Sequence, residues 1–125
     1  MTVVAEILKA KPEGLVHSIA PTATVLQALQ SMADLRVGAL LGMQDNAIVG
    51  ILTERDYARK IALMGRTSVS TFVSDVMTQD VMYVQPTQTS EECMALMTEN
   101  RLRHLPVVED GAVLGMISIG DLVKD

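Results

Sequence analysis

A shift of 65 residues lays Ile19–Lys60 over Val84–Asp125 without a gap, and this internal repeat constrains the fold more than any other feature of the chain. Pro21-Thr22 recurs as Pro86-Thr87, Met32 as Met97, Arg36 as Arg101, Asp45 as Asp110, Gly50 as Gly115 and Asp56 as Asp121. A leading segment repeats too, with Val4-Ala5-Glu6-Ile7-Leu8 matching Val73-Ser74-Asp75-Val76-Met77. The first copy then carries extra residues around Lys11-Pro12-Glu13-Gly14. These matches divide the chain into a first unit at 1–64, a polar linker at 65–71 and a second unit at 72–125.

Each copy reads as strand, helix, strand, strand, helix. The first strand is expected at His17–Ala20 or Met82–Gln85. Thr24 and Thr89 stand as helix N-caps with Gln27 and Glu92 three residues on, the spacing of a capping box. Val25, Ala28, Leu29 and Met32 then fall on one helical face, as do Cys93, Met94 and Met97. Apolar strands follow at Ala39–Met43 and Ile48–Leu52, and at His104–Val108 and Val113–Ile117. They flank Asp45-Asn46 and Asp110-Gly111, residue types that two-residue hairpins prefer. The strands are apolar enough to be covered on both faces. An α/β (α+β) fold of two β-α-β-β-α units is therefore expected, with most of the nine methionines in its core. The helix after the motif is expected to continue through Tyr57–Met64 in copy one, whereas only four residues follow Asp121 in copy two, so there the helix is either short or cut.

Composition excludes several functions. A net charge of −5 is a poor basis for gripping nucleic acid, and Tyr57, Phe72 and Tyr83 are too few for a base-stacking platform. No apolar run approaches the ~20 residues of a membrane span. The start of the chain lacks the pattern of a secretion signal, so a cytoplasmic protein is expected. Cys93 sits in a helical pattern and reads as a small buried residue. His17 and His104 form no metal-ligand spacing.

The chemistry lies in Gly50-Ile51-Leu52-Thr53-Glu54-Arg55-Asp56 and its counterpart Gly115-Met116-Ile117-Ser118-Ile119-Gly120-Asp121. Thr or Ser at a helix start with Asp three residues on is a capping arrangement. The same groups suit a nucleotide: amide and hydroxyl donors at a helix start hold phosphate, and a carboxylate accepts bonds from both hydroxyls of a ribose. The residues alone leave both readings open.

Val76-Met77-Thr78, the run Arg101-Leu102-Arg103-His104-Leu105-Pro106-Val107 and the two Gly-x-x-[Thr/Ser]-x-x-Asp segments together resemble the CBS domain, named for cystathionine β-synthase. The two copies resemble a CBS pair, or Bateman module, over essentially the whole chain. Thr53-Glu54-Arg55-Asp56-Tyr57 is similar to small stand-alone bacterial members. The resemblance implies two pseudo-twofold-related units packed sheet to sheet, with clefts that take AMP, ADP, ATP or NAD and, with weaker support here, S-adenosylmethionine. It implies that Asp56 and Asp121 hold ribose and that Thr53 and Ser118 lie near phosphate. Each cleft would be completed by the other copy, with Asp121 facing Val37-Gly38-Ala39 and Asp56 facing Leu102-Arg103-His104. Adenine would rest near the first strands, around Val81.

The copies differ at the second-strand start. Arg103 and His104 offer charge-assisted bonds to phosphate, whereas Gly38 and Ala39 offer room and backbone groups. Leu41 also departs from the family's proline, present as Pro106. The expectation is a non-catalytic nucleotide sensor, a homodimer acting on a separate effector protein and binding neither membrane nor nucleic acid. The alternative is an interaction scaffold with unoccupied clefts. An enzyme is disfavoured, since nothing pairs a nucleophile with a base.

Overall fold

Thr24 and Thr89 start the two longest helices in the way their spacing predicts. In the computed structural model, which describes residues 2–11 and 16–124, the Thr24 hydroxyl accepts the Gln27 N–H at 3.2 Å and the Gln27 side chain accepts the Thr24 N–H at 2.9 Å. Thr89 and Glu92 make the same reciprocal pair at 3.1 Å in both directions. The insertion of the first repeat falls mainly on residues 12–15, outside the described residues.

The fold is mixed α/β. In chain order it runs α1 (Val4–Ala10), β1 (Ser18–Ile19), α2 (Val25–Leu35), β2 (Ala39–Gln44), β3 (Ala47–Thr53), α3 (Glu54–Asp56), a π-helical stretch (Tyr57–Ala62), α4 (Val73–Val76), α5 (Ser90–Asn100), β4 (His104–Glu109), β5 (Ala112–Ser118) and α6 (Ile119–Lys124). It divides into two compact units. One comprises His17–Val81, the other Met1–Val16 together with Met82–Asp125.

In the His17–Val81 unit the sheet order is β1-β2-β3. β1 runs parallel to β2, with Ser18 opposite Leu41, and β2 pairs antiparallel with β3 from Ala39/Thr53 to Gln44/Ala47. Asp45 and Asn46 take φ of 53° and 64°, the left-handed pair that a tight hairpin turn requires. Ala39, Leu40, Leu41 and Gly42 are all buried, as a strand covered on both faces should be. Leu40, Leu52, Ile61, Val73 and Val76 form the core with α2. Burying each such side chain contributes about 1.5–3 kcal/mol.

The other unit repeats this plan with a smaller sheet. β4 and β5 form a two-stranded sheet, joined at Asp110-Gly111 with φ of 51° and 79°. The strand expected at Met82–Gln85 is reduced to a single bridge, Val84 opposite Val107. Val84 donates to the Pro106 carbonyl and accepts from Val108, both at 2.9 Å. Met82 and Tyr83 are exposed, and Pro86 lacks an N–H to extend the ladder.

The compact units do not coincide with the sequence repeats. The N–H groups of Val4 and Ala5 donate to Gln88 and Pro86 at 2.8 and 3.0 Å, and the Ser90 N–H at the start of α5 donates to Thr2 at 2.9 Å. Val73 and Ser74 make the matching bonds to Ala23 and Pro21, and the Val25 N–H donates to Thr71, each at 2.9 Å. The leading segment of the first repeat thus completes the fold of the second, and the leading segment of the second completes the fold of the first. Residues 65–71 are likewise more than a spacer, because Ser68 and Thr71 take the first two free N–H groups of α2.

Methionines divide by position. Met32 and Met97 are buried on helix faces, whereas Met64 and Met82 are exposed.

Candidate functional site

Each hairpin delivers its motif to a sharp helix start. Thr53 has extended backbone, φ −120°, and begins α3 as its N-cap. Its hydroxyl accepts the Asp56 N–H at 3.1 Å, and Asp56 Oδ2 accepts the Thr53 N–H at 3.0 Å. Ser118 and Asp121 repeat the arrangement at 3.2 and 2.8 Å. The capping interpretation of these residues is therefore observed directly. It commits one carboxylate oxygen of each aspartate and fixes the orientation of the other. α3 and α6 are too short for a strong helix dipole, so any ligand chemistry here rests on side chains.

A lysine sits on each aspartate. Lys11 Nζ donates to Asp121 Oδ2 at 2.9 Å and to the Met116 carbonyl at 2.7 Å. Lys60 Nζ lies 3.4 Å from Asp56 Oδ1 and donates to the Val76 carbonyl at 2.9 Å and to Thr78 Oγ1 at 3.4 Å. Lys60 is carried by the π-helical stretch, where the Leu63 N–H reaches back five residues to Ala58 at 3.1 Å. Burial raises the Asp121 carboxyl's affinity for its proton. The hydrogen bond from Lys11, the Ser118 amide, the lysine charge and the Ser118 hydroxyl together outweigh it and hold the group below the usual carboxylate range.

The strand starts lie beside the motifs of their own repeats. His104 is the register partner of Ser118, and the Ile119 N–H donates to the Arg103 carbonyl at 2.9 Å. Ala39 is the partner of Thr53, and the Glu54 N–H donates to the Gly38 carbonyl at 3.0 Å. One unit thus gathers Arg103, His104, Ser118, Asp121 and Lys11; the other gathers Gly38, Ala39, Thr53, Asp56 and Lys60. Burial lowers the His104 pKa first, and the charges of Lys11 and Arg103 lower it further against the opposing pull of Asp121. Val81 lies in the loop after α4, half-buried, with its N–H donated to Gln79 at 3.1 Å.

The two lysines are the residues that sequence reasoning missed. Lys60 carried a local signal, four residues after Asp56 on a helical face. Lys11 carried none, since 110 positions separate it from Asp121. Cys93 is buried, with its thiol pKa raised first by burial and then by Glu92. No cluster of His, Cys, Asp and Glu among the described residues is placed to hold a metal ion.

Comparison with known proteins bears on what this geometry is for. The family model for the CBS domain matches residues 4–63 and 73–125. The chain is 46% identical over 106 residues to the mitochondrial CBS domain-containing protein CBSX3 of Arabidopsis thaliana, a match covering 81% of this chain and 52% of that protein. The chain thus spans about half the length of that relative. It is 31% identical over 107 residues to the CBS domain-containing protein YhcV of Bacillus subtilis, covering 86% of this chain and 76% of the relative. A solved structure of a protein with CBS domains from Burkholderia ambifaria MC40-6 superposes with a TM-score of 0.96 at 51% identity, over 98% of this chain and 92% of that one. Two matched copies, each containing one capped Thr/Ser-x-x-Asp motif, make this chain a member of the CBS-domain family that carries the domain in tandem.

Proposed function

We propose that this chain is a non-catalytic sensor that binds an adenine nucleotide of the AMP, ADP, ATP or NAD type through Asp56 and Asp121. CBS-domain proteins are in general regulatory, nucleotide-sensing modules. The observation that carries the reading here is the fixed carboxylate. The backbone cap holds each aspartate in one orientation, and among the described residues every bond to Asp121 ends on Oδ2. In Asp121, Oδ1 is the atom we assign to ribose hydroxyls, whereas in Asp56 the ribose would share Oδ1 with Lys60, which lies 3.4 Å from it. Thr53 and Ser118 flank the ribose on the phosphate side. Arg103 and His104 supply charge-assisted bonds that Gly38 and Ala39 lack. Val81 contributes apolar contact for adenine.

Binding would act on an effector protein by favouring one conformation of the chain over another. We assign the assembly as a homodimer, supported by Leu63 and Met64, which are 80% and 66% exposed at the end of the π-helical stretch. We place the protein in the cytoplasm, where its one cysteine, a buried free thiol, stays reduced. No helix among the described residues is long and apolar enough to cross a membrane.

Calorimetric titration with AMP, ATP and NAD tests the reading on the wild type, Asp56→Ala and Asp121→Ala. Saturable binding of at least one nucleotide, weakened in one or both variants, is the expected result. Binding that neither variant weakens removes the site assignment. Failure of all three ligands at millimolar concentration, with a stable dimer in sedimentation, would make the chain an interaction scaffold instead.

A further inference from the structure

We propose that Lys11 and Lys60 set the charge of the ligand that the motif aspartates accept, selecting a phosphorylated adenosine over a neutral or cationic one. The inference rests on the assignment of Asp56 and Asp121 to ribose and adds the group that decides between ligands sharing that ribose.

The two Lys–Asp pairs did not arise by copying. The repeat shift of 65 places Asp125 at the position of Lys60, and the leading-segment shift of 69 places Asp80 at that of Lys11. One lysine follows α1; the other rides on the π-helical stretch. Capping boxes recur in duplicated sequences because the residues are duplicated. An ammonium delivered to each motif carboxylate from unrelated positions has no such origin. Each unit places an ammonium beside its motif carboxylate by its own route, at Oδ2 of Asp121 and at Oδ1 of Asp56, which points to a requirement of the site.

Electrostatics supplies the requirement. A lone carboxylate that accepts ribose hydroxyls repels the phosphate of the same ligand, and partial burial strengthens that repulsion over its value in water. The side chains of Lys11 and Asp121 are only 26% and 18% exposed, so their pair is shielded from screening by salt. The ammonium cancels the repulsion and leaves the carboxylate oxygens able to accept hydrogen bonds. Neither lysine is a loose surface charge, because Lys11 is tied to the Met116 carbonyl and Lys60 to Val76 and Thr78. A lysine has three N–H donors. Lys60 spends two donors on Val76 and Thr78 and faces Asp56 Oδ1 as an ion pair at 3.4 Å, whereas the two groups that Lys11 meets among the described residues leave it one donor for an anion. The Asp121 site is therefore the more anion-selective of the two.

AMP, adenosine and S-adenosylmethionine carry the same ribose with an anionic, a neutral and a cationic substituent, and they are the probes. Their affinities are measured by calorimetry on the wild type, Lys11→Met, Lys60→Met and Lys11→Arg. The wild type is expected to prefer AMP to adenosine by about tenfold or more. Lys11→Met is expected to lower AMP affinity about tenfold with adenosine unchanged within about twofold, and to improve binding of S-adenosylmethionine. Lys11→Arg is expected to keep the wild-type ratio. Lys60→Met is expected to shift the ratio in the same direction by less, and it carries the test if Lys11→Met does not fold. An AMP-to-adenosine ratio unchanged in both methionine variants overturns the inference, as does an equal loss of both ligands, which marks a structural role only. If the wild type binds ATP or NAD but none of the three, this inference fails alone; if it binds none of the five, the nucleotide reading fails with it.

Discussion

Gly50 and Gly115 hold equivalent places in β3 and β5, yet a side chain at each would meet a different kind of neighbour. A Cβ on Gly50 would strike Met77 Sδ, lie 2.7 Å from Met77 Cγ and stand 3.0 Å from the Thr78 carbonyl oxygen. A Cβ on Gly115 would meet only the tip of Leu8, at 3.1 Å. Gly50→Ala is therefore expected to destabilise the protein by about 1–3 kcal/mol, the usual range for overpacking. Gly115→Ala should cost clearly less, because a leucine tip yields where a backbone carbonyl does not. Urea denaturation of the two variants makes the comparison, and equal losses would contradict it.

Arg36 ends α2 in the left-handed region, at φ 57° and ψ 45°. Glycine occupies such positions without the clash of a Cβ. Arg36→Gly is expected to raise stability by about 0.5–1 kcal/mol, visible as a higher melting temperature.

The capping hydroxyls give a change of the opposite sign. Thr24→Ala and Thr89→Ala each leave a helix N–H without its acceptor. Each should lower stability by about 1 kcal/mol, with Thr24→Ser and Thr89→Ser restoring most of it. Denaturant midpoints at constant slope measure the difference.

Acid should weaken the fold in two steps, both in the unit that contains Asp121. His104 is held neutral, so the unfolded chain binds its proton more readily; stability is full above the ordinary value of 6.5 and declines as pH falls below it. The Asp121 carboxyl is also held below its ordinary value of 3.8, so its contribution is present above that pH and lost as pH falls through the lower folded value. His104→Gln is expected to flatten the first step and Asp121→Asn the second. Stability measured from neutral to strongly acidic pH checks both, and a first step that survives in His104→Gln would assign it elsewhere.

What was legible in the sequence was local. The Thr24/Gln27 and Thr89/Glu92 boxes, the Asp45-Asn46 and Asp110-Gly111 turns and the helix faces around Met32 and Met97 depend on residues three or four apart, and each is found where its spacing puts it. The motif residues Thr53, Asp56, Ser118 and Asp121 were legible for the same reason. What escaped depends on distant partners. An apolar run at Met82–Gln85 reads as a strand, but only Val84 finds a partner in the ladder. No periodicity marks Val4 and Ala5 as donors to Gln88 and Pro86, or Lys11 as the partner of Asp121. The π-helical stretch at Tyr57–Ala62 looks like any α-helix in residue type, since the two differ in hydrogen-bond register alone.

The exchange of leading segments also sets an order of events on the ribosome. His17–Val81 is a continuous run of chain, so this unit can close as soon as the middle of the chain has emerged. Helix α1 emerges well before α5 and β5 but must wait for both, so it docks only after partners far along the chain have been made. A translation stall near residue 100 would leave Val4 and Ile7 exposed, and with them the apolar surface by which a quality-control chaperone recognises an unfinished chain.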